Sequence, residues 1–247
     1  MSALATAYCE AVKKHLRVLY ANFPPNEPLA LGDFGVLEND LFVRLGNIAD
    51  AFGITFTSRI GTATETISFS SAGSVQVDVK AGGRLSGVVN ASIEIKFANQ
   101  HAVLFNAAGC TPSSVENQAA LGSEIMTLLK EGRWQRKHAL VTTLIAAGST
   151  TAIASGSNEG AIVLEGRTPE IASVDLSDAS IKLSVRRSRD ISLEVVTEGR
   201  CSPLLGLSAV KGNVFRSDEF GPLRLLEASV RVLLSDQPEQ LMFMQIA

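Results

Sequence analysis

Between Ile54 and Phe105 the chain alternates in character from one residue to the next. Ile67 and Phe69 alternate with Thr66 and Ser68. Val75, Val77 and Val79 alternate with Gln76, Asp78 and Lys80. Ala91, Ile93, Ile95 and Phe97 alternate with Ser92, Glu94 and Lys96. A period of two puts the two sets on opposite sides of an extended backbone, so this stretch predicts strands with one apolar and one wet face. A strand half-buried on a soluble core has that pattern, and so does a strand of a membrane barrel with lipid outside and water inside. Gly82-Gly83 interrupts the run, with a loop to about Gly87. A short turn at Asn99-Gln100 separates two strands expected to pair as a hairpin.

The next stretch, His101 to Gly166, reads strand, helix, break and strands again. Ser113 or Ser114 is placed to cap a helix running through Glu131, with Leu121, Ile125, Leu128 and Leu129 on one face. Gly132 stops it. Trp134, the only tryptophan, is expected to anchor the helix end on the sheet. Strands follow over Leu140–Ile145, Thr151–Ser155 and Ala161–Leu164, with Gly148 and Ser157-Asn158 as turns.

Before these lie a helix over 3–22 and a hairpin. Leu4, Tyr8, Val12, Leu16, Leu19 and Phe23 form one apolar stripe, and Pro24 and Pro25 end the helix. Lys13, Lys14 and Arg17 lie off the stripe, as a solvated basic face or one that rests on anionic lipid. The hairpin-like unit runs through Leu29–Leu31 and Val36–Leu37, a turn at Glu38-Asn39-Asp40, and Leu41–Leu45, and Gly46 closes it. Gly32 and Gly35 suggest a bulge or sharp bend. Asp33 and Asp40 are read as turn formers rather than metal ligands, because no partner cluster accompanies them.

After Gly166, short strands are expected at Ile171–Leu176, Ile181–Val185 and Ile191–Val196. Arg186, Arg187 and Arg189 make a basic turn, or a lipid-headgroup contact, between the last two. Ser202 to Gly206 is read as the end of the sheet region. The polar, Gly/Pro-punctuated run from Lys211 to Pro222 reads as a link. The remainder, from Leu223 to Ala247, is apolar and too short to be a domain.

Composition narrows the function. Charged residues are only 19% of 247 and the net charge is −3, which gives no electrostatic case for nucleic acid. Mean hydropathy is +0.21. Yet Ala139 to Ala154, the longest weakly polar run, is too short and too hydroxylated for a spanning helix. Glu10, Lys13, Lys14 and Arg17 interrupt any secretory pattern. Cys9, Cys110 and Cys201 are odd in number and widely spaced, against a disulfide framework. The expectation is a protein made soluble in the cytoplasm, with any membrane contact through an amphipathic helix, a lipid or β-hairpins.

No motif for catalysis is present. Gly156 and Gly160 lack the Lys-Ser/Thr of a phosphate loop, and there is no G-x-S-x-G elbow. His15, His101 and His138 stand apart, with nothing at metal-ligand spacing. A thiolate at Cys201 or Cys110 has no base placed beside it by any pattern. The chain is therefore expected not to be an enzyme, and no cofactor or metal is expected.

The segments HAVLFNAAGC (His101–Cys110), LGSEIMTLL (Leu121–Leu129) and EGRWQRKHALVTTLIAAGSTTAIAS (Glu131–Ser155), together with the alternating strands around Gly82-Gly83 and the chain length, resemble the bacterial gasdermins. The resemblance implies an α+β fold: a twisted, mostly antiparallel sheet with an N-terminal helix, a mid-chain helix and a short C-terminal inhibitory element. It implies a pore-forming domain over 1–212, with a linker and autoinhibitory segment over 213–247. Regulated cell death, often in antiphage defence, is the function it implies. A partner protease cuts near Lys211, Arg216, Asp218 or Arg224, and the inhibitor is Leu225, Leu226, Val230, Leu233, Leu234 and Phe243. The freed protein, a monomer when intact, assembles as a homo-oligomer on inner-membrane lipid. Two hairpins per subunit would carry Val75, Val77, Val79, Ile93, Ile95 and Phe97 (within Ser74–Phe105), and Leu140, Thr142, Leu144, Ile153 and Ile162 (within Leu140–Leu164). A covalent fatty acyl group near the N-terminus is also implied. Cys9 is the only candidate for it, farther in than the family pattern and inside the predicted helix. The rival expectation from the residues alone is a soluble α+β binding or scaffold protein.

Overall fold

A computed structural model describes residues 3–61, 65–85, 88–168, 182–213 and 216–224. The architecture is α+β and antiparallel throughout the described pairings. Two strands form its axis. β9 (His138–Ser155) and β12 (Ile191–Asn213) pair antiparallel from Ala139↔Ala209 to Ser155↔Ile191, with several register shifts between. On the other edge of β9, two partners divide the length. β2 (Asp33–Glu38) takes its first residues, and β8 (Val103–Val115) takes Thr143 to Ala154. β3 (Leu41–Asn47) extends β2, while β4 (Ser58–Ile60) and β5 (Glu65–Ser70) extend β8. Beyond β12 lie β1 (Tyr20–Ala21) and β13 (Arg216–Pro222).

A second sheet of four strands has the order β11-β10-β7-β6. Its members are β6 (Val75–Leu85), β7 (Val88–Phe97), β10 (Ala161–Thr168) and β11 (Lys182–Arg189). It is two hairpins side by side, joined through the antiparallel β7–β10 pair.

Neighbouring residues of β8 and β9 send their side chains to different layers. Val103, Phe105, Ala152 and Ala154 pack under α1 (Ala3–His15) with Tyr8, Cys9 and Val12. Leu104 and Ile153, between them, pack on Ile93, Ile95, Phe97, Ile162 and Leu164 of the small sheet. The main sheet is thus sandwiched at this end, and its small residues let the helix approach closely. A third cluster lies under α2 (Ile48–Phe52) and α3 (Gln118–Lys130). Trp134 is buried there against Phe34, Phe52 and His138, anchoring the α3 exit on the sheet as expected.

The β2–β3 hairpin turns where expected, but Leu29–Leu31 is outside it, since β2 begins at Asp33 and β3 runs on to Asn47. Asn39 and Asp40 both have positive φ, and Gly35 sits at a register shift. A Cβ on Gly35 would lie 2.0 Å from Val43 O, so the close strand approach excludes any side chain.

Elsewhere tertiary pairing overrides the local reading. α1 ends at His15, not near residue 22, because Tyr20 and Ala21 are captured by Leu205 and Leu204. Leu19 and Phe23, predicted on the helix stripe, still pack on the same cluster. The short helix α2, with Asn47 capping Ala49 and Gly53 in the left-handed conformation at its end, has no counterpart in the sequence reading. Gly82-Gly83 does not end a strand. It lies within β6, at a register shift between Ala81 and Arg84. The strands flanking Asn99-Gln100 do not form a hairpin, since β7 and β8 belong to different sheets. Ser113 and Ser114 are in β8, and the true cap of α3 is Asn117, whose side chain accepts from Ala120 N–H. Gly148 lies inside β9, exposed, so the two short strands expected there are one. Ser202 to Gly206 continues β12 rather than ending the sheet. The strand expected at Ile171–Leu176 lies outside the described residues.

Trp134→Ala empties a site between helix and sheet, and we expect it to cost about 3–5 kcal/mol in urea unfolding followed by circular dichroism. His138 is a second probe of the same corner. Its Nδ1 accepts from Gln135 N–H at 3.3 Å, which only the neutral ring can do. Burial, then the charge of Lys137, holds it below the ordinary histidine value. A depressed folded value means that this stability is complete above the ordinary histidine value and is lost as pH falls through the folded one. The melting temperature should therefore drop through that window, and less so in His138→Asn.

Candidate functional site

The sequence reading assigned two hairpins to membrane insertion, and the small sheet contains only the first as expected. β6 and β7 pair from Val75↔Phe97 to Leu85↔Val88. Ile93, Ile95 and Phe97 are buried, Val75 is partly buried beside them, and Val77 is 41% exposed. The side chain of Val79 lies outside the described residues. The other face is charged. Lys96 Nζ is 3.4 Å from Glu94 Oε1 and 3.8 Å from Asp78 Oδ2.

The second hairpin differs from the expected one. Leu140, Thr142, Leu144 and Ile153 all belong to β9, which never pairs with β10. Leu140 packs under α3, and Thr142 Oγ1 bonds Ser208 Oγ at 2.9 Å across the β9–β12 pair. Ile153 touches the small sheet from below, and only Ile162 is part of it. The actual partner of β10 is β11, where Leu183 and Val185 line the apolar face with Ile162 and Leu164. The signal was present, since Leu183 and Val185 alternate with Ser184 and Arg186. From the sequence the arginines read as a basic turn or a lipid-headgroup contact between two strands. They are on the strand, and the turn is at Asp190, with φ 53°.

Arg186 Nη1 is 3.0 Å from Glu165 Oε1, and Arg189 Nη2 donates to Glu159 O at 3.1 Å. On α1, Lys13 Nζ meets Asp40 Oδ2 at 2.8 Å, and Lys14 lines an open cavity of about 330 Å³ with Glu10, His15, Ser71 and His101. Arg17 is exposed just past the helix end. Basic groups in this last turn complement the helix dipole.

Cys9 is buried between α1 and the sheet. Burial first, and Asp40 nearby, push its thiol up to about 11, so it is neither accessible nor a thiolate in this conformation. Cys110 packs in the same cluster, Cys201 lies against it, and all three are free. Cys201 Sγ is 2.9 Å from Thr150 Oγ1, and Cys110 Sγ donates to Ala107 O. Hydroxyls and carbonyls of this kind do not serve as a general base for a thiol.

Asp33 is buried and structural: it accepts from Ala30 N–H and Asn47, and pairs with Arg44 at 2.9 Å. Among the described residues no three His, Cys, Asp or Glu side chains gather as metal ligands, and no helix is long and apolar enough to cross a membrane.

The expected link from Lys211 is instead a β-hairpin of the main sheet, so the sheet continues past residue 212. Lys211 pairs with Glu219 and Arg216 with Asn213. Asp218 is held by both terminal nitrogens of Arg136, a bidentate pair that draws its carboxyl below the ordinary range. Arg224 is the surprise. It is 6% exposed, donates to Leu16 O and Leu19 O, sits 3.8 Å over the Tyr20 ring, and lies 3.5 Å from Asp40. Lys13, Asp40 and Arg224 together tie the end of the described chain to the end of α1. Leu225, Leu226, Val230, Leu233, Leu234 and Phe243 lie outside the described residues.

Compared with protein-family models and with curated protein sequences, the chain matches none.

Arg224→Ala removes the guanidinium donor from Leu19 O and from Leu16 O, which keeps only its bond from Leu19 N–H, and uncovers Tyr20. We expect a loss of about 1–3 kcal/mol and faster amide exchange in residues 12–22, with α3 unaffected. Arg224→Lys, lacking the planar fork, should recover only part of this.

Proposed function

We propose that the chain is a membrane pore former, inactive when intact and released by proteolysis, of the kind the gasdermin resemblance implies. The observation that carries the reading is the small sheet. It consists of two antiparallel hairpins, each with an apolar face and a charged face. β6 and β7 have 11 and 10 residues, against the roughly 9–11 that a tilted barrel strand needs to span lipid. The apolar face is hidden against Leu104 and Ile153. Lifting it from there would turn it toward lipid, with Asp78, Glu94 and Lys96 toward water.

Strand direction supports assembly. Around β11-β10-β7-β6 it alternates at every step. The edge of β11 left unpaired among the described residues in one copy is therefore antiparallel to β6 of the next, so that an antiparallel sheet can continue from copy to copy. The active form is a homo-oligomer at the inner membrane and the intact form a cytoplasmic monomer. Its partners are an activating protease and lipid. Lys14 and Arg17 are the headgroup contacts, and Lys13 joins them if its pair with Asp40 opens. Regulated cell death in phage defence is the setting that the resemblance suggests.

Within the interval 211–224, the cut that fits best is at its end. Cleavage between 211 and 222 would sever a strand pair of the main sheet, whereas cleavage just past Arg224 spares that pair but requires the buried Arg224 clamp on Leu16 and Leu19 to open. That same hairpin favours a second reading, a soluble α+β binding or scaffold protein whose C-terminal region is simply core.

The test is dye release from anionic liposomes by the full chain carrying a specific protease site directly after Arg224. Release only after cutting supports the pore. A cut chain that remains folded by circular dichroism and releases nothing favours the binding reading.

A further inference from the structure

Among the described residues, β6 and β11 each pair on one side only, and they stand at opposite ends of the same sheet. Unpaired edges invite another chain, and proteins blunt them with charge and bulges. The two edges here are treated differently. β11 reads KLSVRRSR, four cations and no acid in eight residues. Its register shifts where Val163 faces Arg187 and Leu164 faces Val185, leaving Arg186 as the extra residue of a bulge. Arg186 and Arg189 are each 65% exposed, and Arg187 is exposed too. β6 offers an exposed Val77 beside Gln76 and Asp78, with no bulge between Val75 and Ala81.

We propose that Arg186, Arg187 and Arg189 form an assembly gate, which keeps the β11 edge of one molecule from adding to the β6 edge of a second copy until an anionic surface neutralises it. The occupant is a second copy because the strand directions make these two edges antiparallel partners, and because β6, whose register shift lies only beyond Ala81, is less protected over Val75–Ala81 than β11 is. Like charge is the obstacle. β6 carries Lys80 and Arg84 against Asp78 alone, a balance of +1, and β11 adds +4, offset in part by Glu165 at 3.0 Å from Arg186 and Asp190 at 4.0 Å from Arg189. Bringing them together crowds cations along a strand pair, which is unfavourable in water and relieved by anions or screening. The use of the edge rests on the pore reading. The gate itself does not, so its test needs no membrane.

Sedimentation velocity of the intact chain over a concentration series measures it. In about 0.15 M salt the natural chain should remain monomeric. At about 1 M salt, where the screening length is only about 3 Å, it should begin to associate. R186S/R187S/R189S should associate in low salt, about tenfold or more tighter than the natural chain. The triple lysine variant should remain monomeric, which separates charge from shape. Adding Val77→Arg to the serine variant should restore the monomer. A serine variant that keeps its circular dichroism and melting temperature yet stays monomeric would overturn the gate. So would association that Val77→Arg leaves untouched, because β6 would not be the receiving edge. Failure of liposome release with these association results intact would discard the pore reading and keep the gate.

Discussion

Everything in the molecule is fastened to the β9–β12 pair. A strand buried on both faces can satisfy its N–H and C=O groups only through its neighbours, and β9 has neighbours along almost its whole length. β12 runs along one edge, β2 and then β8 along the other. Each later layer depends on that ladder. α1 lies over the alanines of β9, the small sheet lies over Ile153, and α3 is anchored through Trp134 beside Leu140. The small residues of β9 matter for the same reason: they bring backbone and helix close without leaving voids.

The two hairpins are held differently from the axis. Their apolar side chains meet the main sheet through a few residues, chiefly Leu104 and Ile153, while their outer face is ionic and wet. Hydrophobic contact is non-directional, so lipid can replace it. The internal ladder of each hairpin can survive such a move. A sheet attached by one greasy face, with its four strands hydrogen-bonded to one another and its two edges open to a neighbour, is the physical requirement for the function proposed. The clamp at Arg224 is of another kind, directional and polar, and joins the last described turn to α1.

Much of this was legible beforehand, and the failures share a cause. Strand character in Ile67–Phe69, Val75–Val79 and Ala91–Phe97 was plain, as were the turn at Asn39-Asp40, the stop at Gly132 and the place of Trp134. Breaks were overestimated. Gly82-Gly83, Gly148 and Pro203 all look like ends, and each sits inside a long strand: pairing on both sides carries β9 and β12 through, and β7 alone carries β6 past a register shift. The strand expected at Ile181–Val185 was cut short at the arginines for the opposite reason, since charge suggests a loop while an exposed edge tolerates it. The burial of Arg224 depends on neighbours distant in the chain, and Asn117 rather than Ser113 or Ser114 caps α3 because pairing with β4 carries β8 on to Val115.

The sequence by itself determined the alternation of faces, the α+β class and the lack of catalytic motifs, because these follow from residue type and spacing of near neighbours. Only the tertiary structure decided that β7 pairs with β10 rather than β8, that β10 pairs with β11, and that residues 216–222 form a sheet strand. Strand partners are chosen by register, burial and hydrogen-bond closure over long separations, and a local period of two is the same whichever strand lies alongside.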